Sequence, residues 1–511
     1  MTMPQRLRPV ARLFAAIGLG AILAQGLAPQ HHVWASVLAL ALVLPLITSA
    51  RSPRQMATCG WALGLGYFAV GLWWIIEPFQ VDPDRHAWMA PFALLFLAGG
   101  LALFWGAAFW GAGLLRGKRW QLVLALTLCW TLAEFGRAYL FTGLPWGAFA
   151  QFWIDTPLAA MLAFVGPHGL AFLTTFAGLS LGLVVWSGAH MSARLSGVLP
   201  AGLLAALPFV LPAEQPLQTT GKLVRLVQPN APQHQKWDPA YQMMFYQRQL
   251  GFTAAVGEQG RPDLVVWPET SVPVLLENAD PVLQQVAQEA GGAGVVLGLQ
   301  SAREDRFFNS LVHVGPDGQV TGQYDKHHLV PFGEYVPFGD FMARFGIHGF
   351  AARSGFGFSA GPGAELIELP GIGRALPLIC YEAVFPQDVN AAKDRPDLLI
   401  QITNDAWFGT RSGPFQHLVQ ARMRAIEQGV PMIRVANTGV SAMIDPYGQV
   451  IHQIPLGQAG FVDAELPRPL EPTLYSRAGD LPVFLAVVLG LLVLVFLLPL
   501  SKRRQRAANL D

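Results

Sequence analysis

The sequence predicts a polytopic α-helical membrane domain of about eight spans, joined to an extracytoplasmic α/β domain. Three observations predict it. The 511-residue chain is 52% hydrophobic and only 13% charged, where a soluble domain carries about 25% charged residues. Apolar runs approaching or exceeding the ~20 residues that cross a bilayer recur between residues 10 and 212, and once more near the C-terminus. Between them, residues 214–479 alternate strand-like and helix-like patterns. The expected division is therefore 1–213, 214–479 and 480–511.

In chain order, the apolar runs are Val10–Leu27, Val33–Ala50, Thr58–Phe79, Met89–Leu115, Gln121–Phe141, Leu158–Trp186, Leu195–Pro212 and Leu481–Leu500. The first has the basic lead of a signal peptide, but the runs behind it favour a retained anchor. With the N-terminus inside, the inner segments hold Arg6, Arg8, Arg12, Arg51, Arg54, Arg116, Lys118, Arg119, Arg194 and the tail Lys502–Arg506, whereas the short outer loops hold little beyond Arg85. That bias places both termini in the cytoplasm and residues 214–479 outside it, in a bacterial periplasm. A net charge of +1 argues against a nucleic-acid partner.

The extracytoplasmic region begins with a strand, Lys222–Gln228, followed by a helical stretch, Pro239–Val256, and a strand, Leu264–Trp267. Pro281–Ala290 reads as helix and Gly294–Leu299 as strand. Asn309–Tyr324 holds the turn signal Pro316-Asp317-Gly318 between two strands. The apolar run Ala375–Ile379 and Asp397–Thr403 are strands, and Gln416–Gln428 is a helix stopped by Gly429. Met432–Ala436 and Ser441–Ile451 complete the pattern, with a turn near Pro446-Tyr447-Gly448. The result is a layered domain with helices over sheets.

Chemistry concentrates where an apolar run ends at Cys380, in GRALPLICYEAVF. Of the three cysteines, Cys59 and Cys129 sit in apolar runs and read as small buried hydrophobes. Cys380 is alone in its domain, and composition by itself would make it an inert buried thiol. No Cys/His cluster predicts a metal, and no cofactor is expected. Two other stretches change the reading. LVVWPE ends at Glu269, and YDKHHLVPFGEYVP carries Lys326 and Glu334. A carboxylate, an ammonium and a thiol are the parts of a thiol-based acyl-transfer site: a base for the thiol, a fixed positive charge for the developing oxyanion, and the nucleophile.

WPE at 267–269, YDKxHLVPFGEYVP at 324–337 and LICYE at 378–382 resemble the active-site stretches of the nitrilase, or carbon–nitrogen hydrolase, superfamily. Together with the leading spans, VQPNAPQHQKWDP, TNDAWFG and ARMRAIEQGVPMIRVANTG, the whole chain resembles the apolipoprotein N-acyltransferase family of bacterial inner membranes. The resemblance implies a nitrilase-like αββα sandwich and a Glu269–Lys326–Cys380 catalytic triad. It also implies a ping-pong reaction. A membrane phospholipid, phosphatidylethanolamine above all, acylates Cys380 as a thioester. The α-amino group of a diacylglyceryl-cysteine on an apolipoprotein then takes the chain.

Glu334 is expected to orient Lys326 or assist proton transfer, and Glu382 to do similar work. Tyr381 and Asn404 are expected to line the acyl pocket. Trp237 resembles a family position near the site and reads equally well as a structural aromatic. Arg137, three residues after Glu134 inside a span, reads either as a lipid head-group contact or as half of a structural ion pair. Phe338–Phe358, rich in Phe and Gly, reads as a lid on the bilayer or as a packed loop. Two competing functions remain: a membrane-anchored nitrilase-type amidase with water as acceptor, and a lipid scaffold with a decayed enzyme domain. The second predicts loss of Glu269, Lys326 or Cys380, all of which are present.

Overall fold

The structure is a computed structural model that describes residues 9–185, 191–211, 214–337 and 357–497. The basic tail, the arginines ahead of Pro9 and most of the Phe338–Phe358 stretch lie outside the described residues. The chain divides into two compact units, Met1–Ala213 with Arg477–Asp511, and Glu214–Ser476.

The first unit is helical. Among the described residues, four helical stretches are long and apolar enough to cross a membrane: Pro9–Gly26, Pro83–Leu114, Arg119–Tyr139 and Pro157–Val185. A fifth candidate is a pair, Pro53–Gly71 and Trp73–Gln80, bent by 47°. Val33–Thr48, Arg194–Phe209 and Leu481–Phe496 are apolar but shorter. Predicted spans and observed helices differ most where glycine and proline interrupt. Gly166 takes φ 62° ahead of Pro167, so the predicted span from Leu158 contains a sharp kink. Inside this unit, Asp480 accepts from the Tyr139 hydroxyl at 2.7 Å and lies 3.1 Å from His168 Nδ1. These contacts tie the start of the last helix to the Arg119–Tyr139 and Leu162–Val185 helices.

The second unit contains two six-stranded sheets. The first has the order β12-β1-β2-β3-β4-β5, and the second β11-β10-β9-β8-β7-β6. The strands are β1 Thr219–Gln228, β2 Leu264–Val266, β3 Gly294–Arg303, β4 Arg306–Val314, β5 Val320–Asp325, β6 Ile367–Leu369, β7 Gly373–Ile379, β8 Leu398–Thr403, β9 Met432–Ala436, β10 Ser441–Ile444, β11 Val450–Ile454 and β12 Gly460–Pro467. Alternation along each strand builds three apolar layers. Val224, Leu226, Val266 and Val296 of the first sheet pack with Ala375, Ile379, Ile400 and Ile433 of the second. Val265, Trp267 and Leu297 face the opposite way, onto Leu250 and Leu283 of the Pro239–Ala254 and Asp280–Ala290 helices. Leu376 and Leu399 face Ala421 and Ala425 of the Gly413–Gln428 helix. The order of layers is helix, sheet, sheet, helix.

Two strands escaped the sequence reading, the short β6 and β12. β12 follows the second sheet in the chain yet pairs antiparallel with β1 in the first, Leu223 to Glu465 through Gln228 to Gly460. Its charged residues, Asp463 among them, hid it. Arg225 of β1 neutralises Asp463 with paired contacts of 2.7 Å.

Candidate active site

β1, β2 and β3 run parallel, as do β7, β8 and β9. In such sheets, functional side chains collect beyond the carboxyl ends of the strands. Glu269 follows β2, Cys380 follows β7, and Lys326 follows β5. All three are buried, and their charges act on one another.

Backbone shape sets the nucleophile. Cys380 has φ 53°, a left-handed conformation uncommon for a side chain other than glycine. Strain of this kind persists only where the surroundings enforce it. The Cys380 carbonyl accepts from Gln401 Nε2 at 3.0 Å and lies 3.0 Å from His417 Nε2. The Ile379 amide, just before the turn, donates to Glu382 at 2.7 Å.

Glu269 sits on a similarly constrained turn. Glycine is required at position 298 because a Cβ there would come within 2.7 Å of Glu269 Cα. Asn309 Nδ2 donates to Glu269 at 2.6 Å and to Glu334 at 3.1 Å, bridging the two carboxylates. Glu334 Oε2 pairs with Lys326 Nζ at 2.8 Å and accepts the Val330 amide at 2.9 Å. Glu334 is thus the ion-pair partner of Lys326.

Glu382 does something the sequence did not specify. It accepts from Tyr324 and the amides of His327 and His328, besides Ile379. It therefore ties the end of β7 to the segment carrying Lys326. Burial pushes its carboxyl up, but contacts with His327 and backbone amides outweigh that and hold it below the usual range. Glu382 stays ionised.

Burial dominates the electrostatics of the reacting groups. Burial, then Glu269, push the Cys380 thiol well up, against a smaller opposing pull from Lys326. The resting sulfur is protonated and needs a base. Burial also raises Glu269, with Lys326 opposing and Glu334 assisting. A carboxylate raised in this way is better matched to exchanging protons near neutrality. Burial disfavours the charged form of Lys326, but Glu334, Cys380 and Glu269 more than compensate, so its ammonium is retained.

A second lysine was missed. Lys236 is buried, donates to the Glu269 carbonyl at 3.0 Å and to the Thr270 hydroxyl at 3.1 Å, and is pushed down to about 8 by burial. The signal was present in QKWDP, where attention went to the aromatic neighbour. Trp237 lines a small cavity with Lys236, Pro268 and Thr270. Tyr381 is buried edge-on to Phe385 and His328. Asn404 spends its amide on Gln233 and Asn437, at 2.7 and 2.8 Å. Arg137 belongs to the helical unit, where it pairs with Glu134 and donates to the carbonyls of Leu144 and Trp146.

Comparisons with known proteins come down on the same side as the sequence motifs. The carbon-nitrogen hydrolase family model matches residues 223–471. The apolipoprotein N-acyltransferase N-terminal domain model matches residues 19–180. The apolipoprotein N-acyltransferase of Rhodopseudomonas palustris is 37% identical over 469 residues, covering 88% of this chain and 87% of that protein. That of Bradyrhizobium diazoefficiens is 36% identical over 528 residues, covering 96% and 98%. A carbon–nitrogen hydrolase superfamily protein from Xanthomonas campestris, of known structure, is 24% identical and covers 52% of this chain and 96% of its own, with a TM-score of 0.35.

Proposed function

The chain belongs to the apolipoprotein N-acyltransferase family and N-acylates lipoproteins, and from that premise we propose the route its residues take. Cys380 is the nucleophile, Glu269 the general base and acid, and Lys326 the electrostatic partner of the oxyanion. The observation that carries this reading is the convergence of those three buried groups beyond the ends of β7, β2 and β5.

In the first half-reaction, Glu269 takes the thiol proton as sulfur attacks the ester carbonyl of a phospholipid, with phosphatidylethanolamine the proposed donor. The carbonyl oxygen becomes an oxyanion facing the Lys326 ammonium. Collapse breaks the ester C–O bond. Glu269 returns its proton to the departing lysophospholipid oxygen, leaving a thioester on Cys380.

In the second half-reaction, the α-amino group of a diacylglyceryl-cysteine attacks that thioester. Such an amine has a pKa of about 7.7–8.0, so part of it is unprotonated at neutral pH. Glu269 takes the amine proton, the C–S bond breaks, and the sulfur is reprotonated. The product is an amide. Glu334, Asn309 and Glu382 hold the reacting groups in place. The apolar helices support a membrane location, and the charge bias supports a periplasmic face for residues 214–479 with both termini cytoplasmic.

Phospholipid carrying a radiolabelled acyl chain tests the route. The wild-type chain is expected to acquire hydroxylamine-labile label and pass it to a lipopeptide amine, while Cys380→Ala acquires none. Equal label on Cys380→Ala rejects the nucleophile. Discharge by water as fast as by the lipopeptide points instead to an amidase.

A further inference from the structure

Thr403, the last residue of β8, has no part in the chemistry described so far. The register pairs Ile379 with Ile402, so the residues that follow them, Cys380 and Thr403, are neighbours at adjacent strand ends. The Thr403 side chain is hydrogen-bonded to the Cys380 sulfur. Its hydroxyl also donates to Asp405 Oδ1 at 2.9 Å. A hydroxyl has one proton and two lone pairs. With its proton on Asp405, it offers the sulfur an acceptor, which suits a thiol.

Deprotonation of the sulfur reverses that requirement. A thiolate only accepts, and a hydroxyl facing it with lone pairs would repel it. Turning the O–H bond alone corrects this, without moving a heavy atom. Asp405 is equipped to release the proton. It retains Arg434 Nη2 at 2.5 Å and His417 Nδ1 at 2.9 Å. Arg434 also holds Gln401, whose amide lies 3.0 Å from both His417 Nε2 and the Cys380 carbonyl. A neutral His417, protonated on Nδ1, donates to Asp405 and accepts from the Gln401 amide. Glycine at position 439 leaves room for this arrangement, because a Cβ there would come within 2.2 Å of an Asp405 oxygen.

We propose that Thr403 is a catalytic residue whose hydroxyl swings its single proton from Asp405 to the Cys380 sulfur as the thiolate forms, and back when the sulfur is acylated. The thiol proton itself goes to Glu269, and Thr403 loses none. The proposal deepens the reading above and rests on Cys380 as nucleophile. The charged groups facing the sulfur are Glu269 after β2, Lys326 after β5, Lys236 from the segment after β1, and Asp405 from the segment after β8. Glu334 and Glu382 act one contact further out.

The test measures alkylation of Cys380 by iodoacetamide against pH in the full-length protein, read by peptide mass spectrometry. Thr403→Val is expected to raise the midpoint by about one pH unit, which slows alkylation below it about tenfold. Acyl-enzyme formation should fall in proportion, and Thr403→Ser should restore both. If Thr403→Val does not fold, as judged by thermal unfolding, Thr403→Ala takes its place. A wild-type midpoint in the folded variant without the hydroxyl overturns the proposal. So does a Thr403→Ser shift as large as that of Thr403→Val, which would mark the methyl group as the cause. Alkylation reads the sulfur whether or not lipid reaches it. An absent shift therefore rejects Thr403 alone, while acyl label on Cys380→Ala rejects the nucleophile.

Discussion

Two polar networks flank the Cys380 turn, and they are built on opposite plans. On one side stand Glu269, Glu334, Asn309 and Lys326, where two carboxylates share one amide and one ammonium. On the other stand Asp405, Arg434, His417 and Gln401, where one carboxylate meets one guanidinium, and one amide and one imidazole complete the set. The first leaves a carboxylate raised, by burial foremost. In the second, burial pushes Asp405 up but Arg434 and His417 outweigh it, so that carboxylate is lowered. A group that must trade protons is kept in an unfavourable charge state, whereas a group that must hold still is fully matched. The difference separates chemistry from scaffolding within one buried site.

The comparison can be broken most severely on the matched side. Asp405→Asn leaves the buried Arg434 charge without its partner, and loss of such a partner costs about 3–5 kcal/mol of stability. A clear drop in thermal unfolding temperature is expected. An unchanged temperature would mean the network is not a scaffold. On the other side, Lys326→Met is expected to lower kcat/KM for acyl transfer about 10²–10³-fold, measured with labelled phospholipid. A loss below about tenfold would remove Lys326 from the oxyanion.

Glu269→Gln sharpens the contrast with the smallest effect on the fold. A carboxyl raised in the folded state contributes stability that is present below its unfolded pKa and lost as pH rises through the folded value. At neutral pH the charge therefore costs stability, and the glutamine variant should unfold at a slightly higher temperature than wild type while transferring no acyl chain. The gap should close as pH falls toward 4. A lower unfolding temperature at neutral pH would show that Glu269 is stabilised as an anion.

Much of this was legible in the sequence because the reacting groups sit at ends of apolar runs. LVVWPE and ALPLIC each announce a buried strand that delivers a polar side chain. The strand and helix alternation was readable for the same reason. The supporting residues were harder. Asn309, Gln401 and His417 reach the site from separate segments, and no local spacing links them. Arg434 did leave a trace, since a lone arginine inside MIRVA needs a buried partner. β12 was overlooked because FVDAELP places charges in an otherwise apolar strand, and only pairing with Arg225 makes sense of Asp463.

The position of β12 also bears on how the protein is made. Synthesis up to Ile454 supplies all six strands of the second sheet, with sulfur, threonine and arginine in place. The first sheet still lacks its border at that moment, because β1 has a row of open hydrogen-bonding groups along one flank. Only when the eight residues Gly460–Pro467 emerge does that flank find its neighbour. A nascent chain stalled just short of Gly460 would thus carry a nearly whole reaction centre on a sheet with an exposed seam, inviting any passing extended peptide to pair with it.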